Sequence, residues 1–301
     1  MISTQPEVVR ATHATHTVSS GVCHGTLGEL VQGPVEHDGA MAIGIVSLPV
    51  RRYSWMHFVA GDDGDHAGDL PDKDKCRRAI ALYLERSGRT LPRGRWLHDS
   101  ELLLGKGMAS STADIVASIR CLDCVFGVAS PPETIAGILR EVERSDSVFL
   151  DCHALYLSAK QTVVRRFAHD PRYHVCYVDD GDAVSTEAVT PQLFAHYQTH
   201  RAAYQENLER LVAAFDAGDS GEIARCASVS AALSQRVLPK RRYADIAAAR
   251  AHFGAAGIVV AHTGSLIGYL FPEPPDAVRM GELSAFFRGL GLQCRFAQTG
   301  F

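Results

Sequence analysis

Residues 105–112, Gly105-Lys106-Gly107-Met108-Ala109-Ser110-Ser111-Thr112, concentrate the residue types that bind an anion. Gly105 and Gly107 carry no side chain, so backbone N–H groups there can turn toward a ligand. The apolar-periodic stretch that follows reads as a helix, and its unsatisfied first N–H groups and positive dipole end point the same way. Ser110, Ser111 and Thr112 add hydroxyls suited to phosphate oxygen or magnesium, and Lys106 adds a cation. A polyphosphate fits this set. Glycines alone also occur in turns that bind nothing; the serine cluster and the helix start set this loop apart. It matches neither the Walker pattern GxxxxGK[ST] nor the dinucleotide pattern GxGxxG, whose sixth position is Ser110 here.

Other positions carry weaker signals. Glu143 and Asp146 lie three apart and share a side on a helix or at its end; a solvated helix terminus with Arg140 and Arg144 as ion partners accounts for them too. Glu29, behind Gly28 at the end of a strand pattern, reads as an exposed turn acid, or with Gln32 as the lining of a site for an ammonium or hydroxyl group. His262, Thr263, Gly264 and Ser265 form a polar glycine loop able to close over a substrate or phosphate, and His262 serves equally well as a structural histidine. Cys121 and Cys124 make a CxxC pair in the helical segment RCLDCVF. With no second pair, buried thiols are the simpler reading. Lys240-Arg241-Arg242 reads as a solvated face at a helix start. The acidic run GDDGDHAGDLPD at 61–72 lacks the closing glutamate of a calcium loop and reads as a surface loop.

The elements that must position these residues follow from periodicity and punctuation. Residues 21–33 (GVCHGTLGELVQG) predict a strand and a tight glycine loop, followed after the polar turn VEHDG by antiparallel strands in AMAIGIVSLPV and RYSWMHFVA. Lys73 to Ser87 predicts an amphipathic helix ending at Gly88, and 95–102 a short strand. The helix after the phosphate-type loop has Ser111-x-x-Asp114 as an expected capping box and Gly127 as its stop. A further helix is expected over 132–144 after Pro131-Pro132. Later, HVCYVDDG predicts a strand; 192–217, 219–235 and 240–253 predict three helices. GIVVAHTGSLIGYLF predicts strand, glycine loop, strand, with a helix at 281–289 and a last strand at 291–297. Antiparallel strands with interspersed helices argue for an α+β fold.

The chain has 301 residues, with 30 Lys+Arg against 34 Asp+Glu and a net charge of -4. That length suggests two domains. Its 46% hydrophobic content supports a real core, and a mildly acidic chain gives no basis for a nucleic-acid partner. No stretch approaches the ~20 apolar residues of a membrane span, and the first 20 residues, a loose arm or initial strand, contain no apolar signal core. Eight cysteines in this length do not form a disulfide framework; a reducing, cytoplasmic setting is the expectation.

GKGMASSTAD at 105–114 resembles the phosphate loop of the GHMP kinases, the superfamily of galactokinase, homoserine kinase and mevalonate kinase. Its pairing with GTLGELVQG at 25–33 is similar to the L-threonine kinase branch, associated with cobalamin side-chain synthesis. VERSDSVFL at 142–150 resembles that branch's acidic segment, and AHTGSLIGYLF at 261–271 the superfamily's third motif. The resemblance thus covers about residues 20–271.

It implies an N-terminal ATP-binding domain, 1–160, like ribosomal protein S5 domain 2, and a ferredoxin-like C-terminal domain, 161–301. The order of elements along the chain alone puts the boundary at 150–170. The implied cofactors are ATP and Mg2+, with the phosphates over 105–112. Ser111 and Glu143 would hold the metal. Asp146 would orient or deprotonate the acceptor hydroxyl, and Lys106 would supply charge to the transfer. Gly28, Glu29, Gln32, Asp146, His262, Thr263, Gly264 and Ser265 would line the acceptor site in the cleft between the domains. The implied acceptor is free L-threonine, with serine, homoserine or an amino alcohol as alternatives. A non-catalytic nucleotide-binding protein, or a diphosphate decarboxylase on the same fold, also fits. No membrane partner is implied, and a homodimer is left open. The chain departs from the pattern in having Leu27 where a cysteine is common, Glu101-Leu102-Leu103-Leu104 where a proline is usual, and Arg144 where relatives often have proline.

Overall fold

Strands β1 (Thr17–His37) and β2 (Ala40–Ala60) form one long antiparallel hairpin. Its turn is two residues, Asp38 and Gly39, both at positive φ (54° and 71°), the geometry that matches the twist of the flanking strands. Instead of a glycine loop, residues 21–33 lie within β1. The ladder absorbs their irregularity as register shifts between His24 and Gly25, Thr26 and Glu29, and Glu29 and Val31. Shifts of this kind bend a strand and re-aim its side chains without ending it. Pairing with β2 on one edge, and on the other the Glu29–Val260 pair with the bonds from Thr26 N and Gly28 N to Met108 O and Gly107 O, satisfy the backbone here and outweigh the local turn preference of glycine.

The computed structural model describes residues 17–61, 70–181 and 186–301. Residues 1–16 of the expected arm and 62–69 of the acidic run lie outside the described residues. The hairpin is followed by α1 (Asp74–Ser87), β3 (Gly94–Ser100), α2 (Ser110–Phe126), α3 (Pro132–Val142), β4 (Ala154–Leu157), β5 (Thr162–Arg166) and β6 (His174–Asp179). Then come α4 (Thr186–Thr199), α5 (Arg201–Ala217), α6 (Ser220–Ser234), α7 (Tyr243–Ala249), β7 (Gly257–Val260), β8 (Leu266–Phe271), α8 (Ala277–Gly289) and β9 (Arg295–Gln298).

Every strand pairing is antiparallel, in the order β5-β4-β2-β1-β7-β8-β6-β9 with β3 on β2. This is the mixed, two-lobed α+β architecture expected. A large core gathers the β1–β2 hairpin, α1, α2 and α3, and extends to α5 and α6; a second cluster lies among β6, β7, β8, α7 and α8. The lobes meet in the sheet where Glu29 of β1 pairs with Val260 of β7, and again at the isolated bridge of Val50 with Thr299.

Helices α1 and α2 end where expected, at Gly88 and Gly127 in the left-handed conformation. The expected helix over 192–217 is two helices, broken at His200, and 240–253 is helical only over α7. Among the described residues no helix is long and apolar enough to cross a membrane.

Candidate active site

The 105–112 loop joins β3 to α2 through a run of unusual backbone. Gly105 and Gly107 have φ of 70° and 96°, and Ala109, the N-cap of α2, has φ 54°. Alternation of this kind turns successive N–H groups toward a common concavity that suits an anion. Ala109 has no side-chain cap, so the first donors of α2 stay available to a ligand. The expected Ser111–Asp114 capping box is absent because both side chains have distant partners. The Ser111 hydroxyl donates to Glu143 Oε2 (2.8 Å). Asp114 accepts from Ser54 Oγ (2.6 Å), Lys73 Nζ (2.6 Å) and His98 Nε2 (2.9 Å).

Strand β1 and the 261–265 loop hold this loop from behind. Gly28 N donates to Gly107 O (3.1 Å), Thr26 N to Met108 O (3.0 Å) and Ser265 N to Lys106 O (3.0 Å). The approach is close enough that a Cβ on Gly264 would sit 2.3 Å from Lys106 O, and one on Gly107 2.2 Å from the Ala261 Cβ. Gly105, Gly107, Ala109, Ser110, Ser111, Thr112, Thr263 and Gly264 line a cavity of about 690 Å³, whose far wall includes Lys75, Glu143, Arg144 and Asp146.

Glu143 lies one residue beyond α3 in extended backbone, so the two acids occupy a connecting segment rather than a helix. Its carboxylate is divided between two α2 hydroxyls, Ser111 on Oε2 and Thr112 on Oε1 (2.8 Å each), and Lys75 Nζ reaches Oε2 at 2.5 Å. A hydroxyl and a carboxylate touching at a phosphate-type loop are hard oxygen donors, and magnesium is commonly held by one or two such groups plus phosphate oxygens. The donor set therefore fits Mg2+. Lys75 already places positive charge on the same oxygen.

Asp146 lines that cavity and a second one of about 450 Å³, which adds Glu29, Gln32, Ile45, Val142, Ser145 and Ser158. Its Oδ1 accepts from Ser47 Oγ (3.1 Å). Burial, reinforced by the negative charge of Glu29, pushes its carboxyl up to about 7. Glu29 is aimed by His262, whose backbone N (3.0 Å) and Nδ1 (2.8 Å) both reach Oε2. His262 Nε2 in turn meets Ser230 Oγ (3.1 Å), which accepts from Gln32 N (3.1 Å). Gln32 Nε2 donates to Tyr197 OH (3.0 Å).

The expected site residues are therefore partly gathered and partly dispersed. Of the phosphate-loop residues, Lys106 and Met108 stand outside the cavity walls. Lys106 pairs with Asp179 (3.0 Å) and donates to Gly181 O (3.1 Å), because its carbonyl is clamped by the 261–265 loop and its side chain leaves on the other side. Met108, 1% exposed, belongs to the core. Among the acceptor-site residues, Glu29, Gln32, Asp146 and Thr263 line the smaller cavity, whereas Gly264 lines the phosphate side. Gly28 contributes no wall: its φ of 67° and its closeness to Val260 O make it the joint between β1, β7 and the phosphate loop. His262, 1% exposed, positions Glu29, and the buried Ser265 donates to Asp179 Oδ1 (2.5 Å). Leu27, 2% exposed, faces the core, so its difference from cysteine does not alter a cavity wall.

Lys75 emerges as a cavity residue only from the structure, and Asp114 and Arg144, which the sequence offers as a capping-box acid and an ion partner at a helix terminus, prove to line the same cavity. Lys240, expected on a solvated face, is buried and donates to His262 O (3.0 Å) and Gly264 O (2.6 Å). Burial lowers its ammonium to about 8. Cys121 is buried but Cys124 is exposed, and no group of metal-ligating His, Cys, Asp and Glu side chains occurs among the described residues.

Residues 74–157 match the family model described as GHMP kinases N terminal domain. Over 254 residues the chain is 25% identical to an L-threonine kinase from Citrobacter freundii, covering 82% of this chain and 84% of that protein. The fold is similar to that of L. major mevalonate kinase in complex with R-mevalonate, with TM-score 0.70 and 14% identity over 96% of this chain and 98% of that one. Homoserine kinase from Cytophaga hutchinsonii gives TM-score 0.67 and 15% identity over 98% and 97%. At those identities the structures speak to fold alone. Together with the match over residues 74–157, they show that the chain has a two-lobed GHMP-kinase-like fold.

Proposed function

We propose that the protein transfers the γ-phosphoryl group of ATP to the side-chain hydroxyl of free L-threonine, giving O-phospho-L-threonine and ADP. The match to the GHMP kinase N-terminal domain and the GHMP-kinase-like fold support an ATP-dependent small-molecule kinase; the choice of threonine draws on the L-threonine kinase from Citrobacter freundii. The observation that carries the proposal is the place of Asp146, in the wall shared by the phosphate cavity and the smaller, acid-lined cavity. A hydroxyl entering from the smaller cavity meets a carboxyl poised near neutrality.

The ATP phosphates lie over the N–H groups of residues 105–112 and the first turn of α2. Bound Mg2+, held by Ser111 and Glu143, would neutralise charge on the phosphate oxygens. Glu29 Oε2 is occupied by His262, which leaves Oε1 to accept from the substrate ammonium. Asp146 accepts the hydroxyl proton as the threonine oxygen forms its bond to the γ-phosphorus, and the bond to the bridging oxygen of ADP breaks. The N-terminal donors of α2 offset the charge that develops on the transferring group.

The test is product identification. The protein, ATP and Mg2+ are incubated with free L-threonine, L-serine, L-homoserine or 1-amino-2-propanol, and phosphorus NMR follows the products. O-phospho-L-threonine appearing in step with ADP supports the proposal; exclusive phosphorylation of another acceptor overturns the choice of threonine.

A further inference from the structure

We propose that Arg144 binds the carboxylate of the acceptor, making it the residue that selects a free amino acid over an amino alcohol. The inference rests on the phosphoryl-transfer reading above and narrows its substrate class.

Arg144 lies between the two functional acids in sequence and lines both cavities. Its Nε donates to Ser158 Oγ at 2.7 Å. Among the described residues its two terminal nitrogens have no hydrogen-bond partner, and no carboxylate lies within ion-pair distance, although Glu29 and Asp146 are close enough to act on its charge. The fork is not sealed in the protein but open to the cavities, so an anion entering there can take its unpartnered N–H groups. The planar fork suits a carboxylate, which it can bind through two parallel N–H···O bonds.

The surroundings are built to hold it still. Gln161, buried, donates to the carbonyls of Glu143 and Ser158 (3.1 Å each) and accepts from Ser145 Oγ (2.6 Å). The segments on either side of the Arg144–Ser158 contact are thus tied to one side chain. Ser158 lines the smaller cavity and not the phosphate cavity, so the anchor of the guanidinium is on the acceptor side. The phosphate side has its own positive group, the N-terminus of α2; Lys75 lines both cavities but is already paired with Glu143. Glu29 for an ammonium, Arg144 for a carboxylate and Asp146 for a hydroxyl make three points of contact, which is what a hydroxy amino acid presents.

The experiment compares L-threonine with 1-amino-2-propanol, which is threonine without its carboxylate, in the wild type, Arg144→Gln and Ser158→Ala. The wild type is expected to prefer threonine in kcat/KM. Arg144→Gln should shrink that preference at least about tenfold through a rise in KM for threonine, the loss of a charge-assisted pair, with KM for ATP changed less than about twofold. Ser158→Ala, which leaves the charge but frees the fork, should move the preference the same way by less. Equal losses on both acceptors would assign Arg144 to the transferred phosphoryl group or to folding and overturn the proposal, as would an unchanged preference or a wild type active only on the carboxylate-free alcohol. If the wild type turns over neither acceptor, the kinase reading itself falls; calorimetric binding of L-threonine then decides the arginine separately, its loss in Arg144→Gln supporting the role and its persistence overturning it.

Discussion

Ser47 of β2 lies directly across the ladder from Glu29 of β1 and donates its hydroxyl to Asp146 Oδ1. One register position of the central hairpin therefore presents both a carboxylate that raises the affinity of Asp146 for its proton and a hydroxyl that steadies its charged form. The register shifts on either side of Glu29 set that position. With burial as the largest cause, these opposing effects leave Asp146 at about 7, where a proton acceptor is most useful at neutral pH.

The rate of transfer should follow the ionised form of Asp146. Below about 7, kcat/KM is expected to fall about tenfold per pH unit, and above it to level off. Glu29→Gln removes the neighbouring charge and should move this acid limb to lower pH, even as it weakens threonine binding. A pH–rate series on both proteins checks the shift. Because the folded state holds this proton above the ordinary carboxylate value of 3.8, Asp146 contributes stability that is present below that value and fades as pH rises through about 7.

Glu143→Gln keeps the hydrogen-bonding shape but removes the charge shared by Ser111, Thr112 and Lys75. The Mg2+ concentration for half-maximal activity should rise at least about tenfold, the usual scale for disturbing a metal ligand or its support. Titration of activity with Mg2+ at saturating ATP measures it. An unchanged midpoint would assign Glu143 to the ion pair with Lys75 alone.

Gly264→Ala would place a Cβ 2.3 Å from Lys106 O and 2.6 Å from Gly107 Cα. Both neighbours are backbone, so the loops must separate, at about 1–3 kcal/mol. KM for ATP should rise together with a loss of stability in urea, a pairing that distinguishes loop clamping from direct acceptor contact.

Asp114 is buried beneath the phosphate cavity. Burial alone would raise its carboxyl, but hydrogen bonds from His98, Lys73 and Ser54 together hold it below the ordinary range. Asp114→Asn leaves the Lys73 ammonium without its counter-charge and should cost about 2–4 kcal/mol at pH 7, somewhat less than a fully buried pair because Lys73 is partly exposed. A depressed carboxylate contributes stability above the unfolded value of 3.8 and loses it as pH falls through the lower folded value. The gap between variant and wild type in urea unfolding should therefore narrow in strong acid.

The shape of the 105–112 loop was legible because its geometry is local: positive φ at glycines, a helix start, and a glycine stop at Gly127 follow from neighbouring residues. Tertiary partners decided what was not. Ser111 and Asp114 have the spacing of a capping box, yet Glu143, and the trio of His98, Lys73 and Ser54, engage them first. Residues 21–33 read as a strand and a tight glycine loop because the sequence does not show that β2 runs beside them and that β7 pairs at Glu29. Lys106 looked like a phosphate cation until Asp179, 73 residues later in sequence, drew it away. Lys240 and Arg144 looked like ordinary surface charge because burial across the lobe junction leaves no mark on spacing.

The most direct test measures ADP release and ATP binding side by side in the wild type and Asp146→Asn, with L-threonine as acceptor. The account predicts turnover by the wild type and a loss of at least about a hundredfold in the variant, with ATP affinity changed less than about twofold. A wild type that binds ATP without turning it over, or an Asp146→Asn variant as active as the wild type, would contradict it.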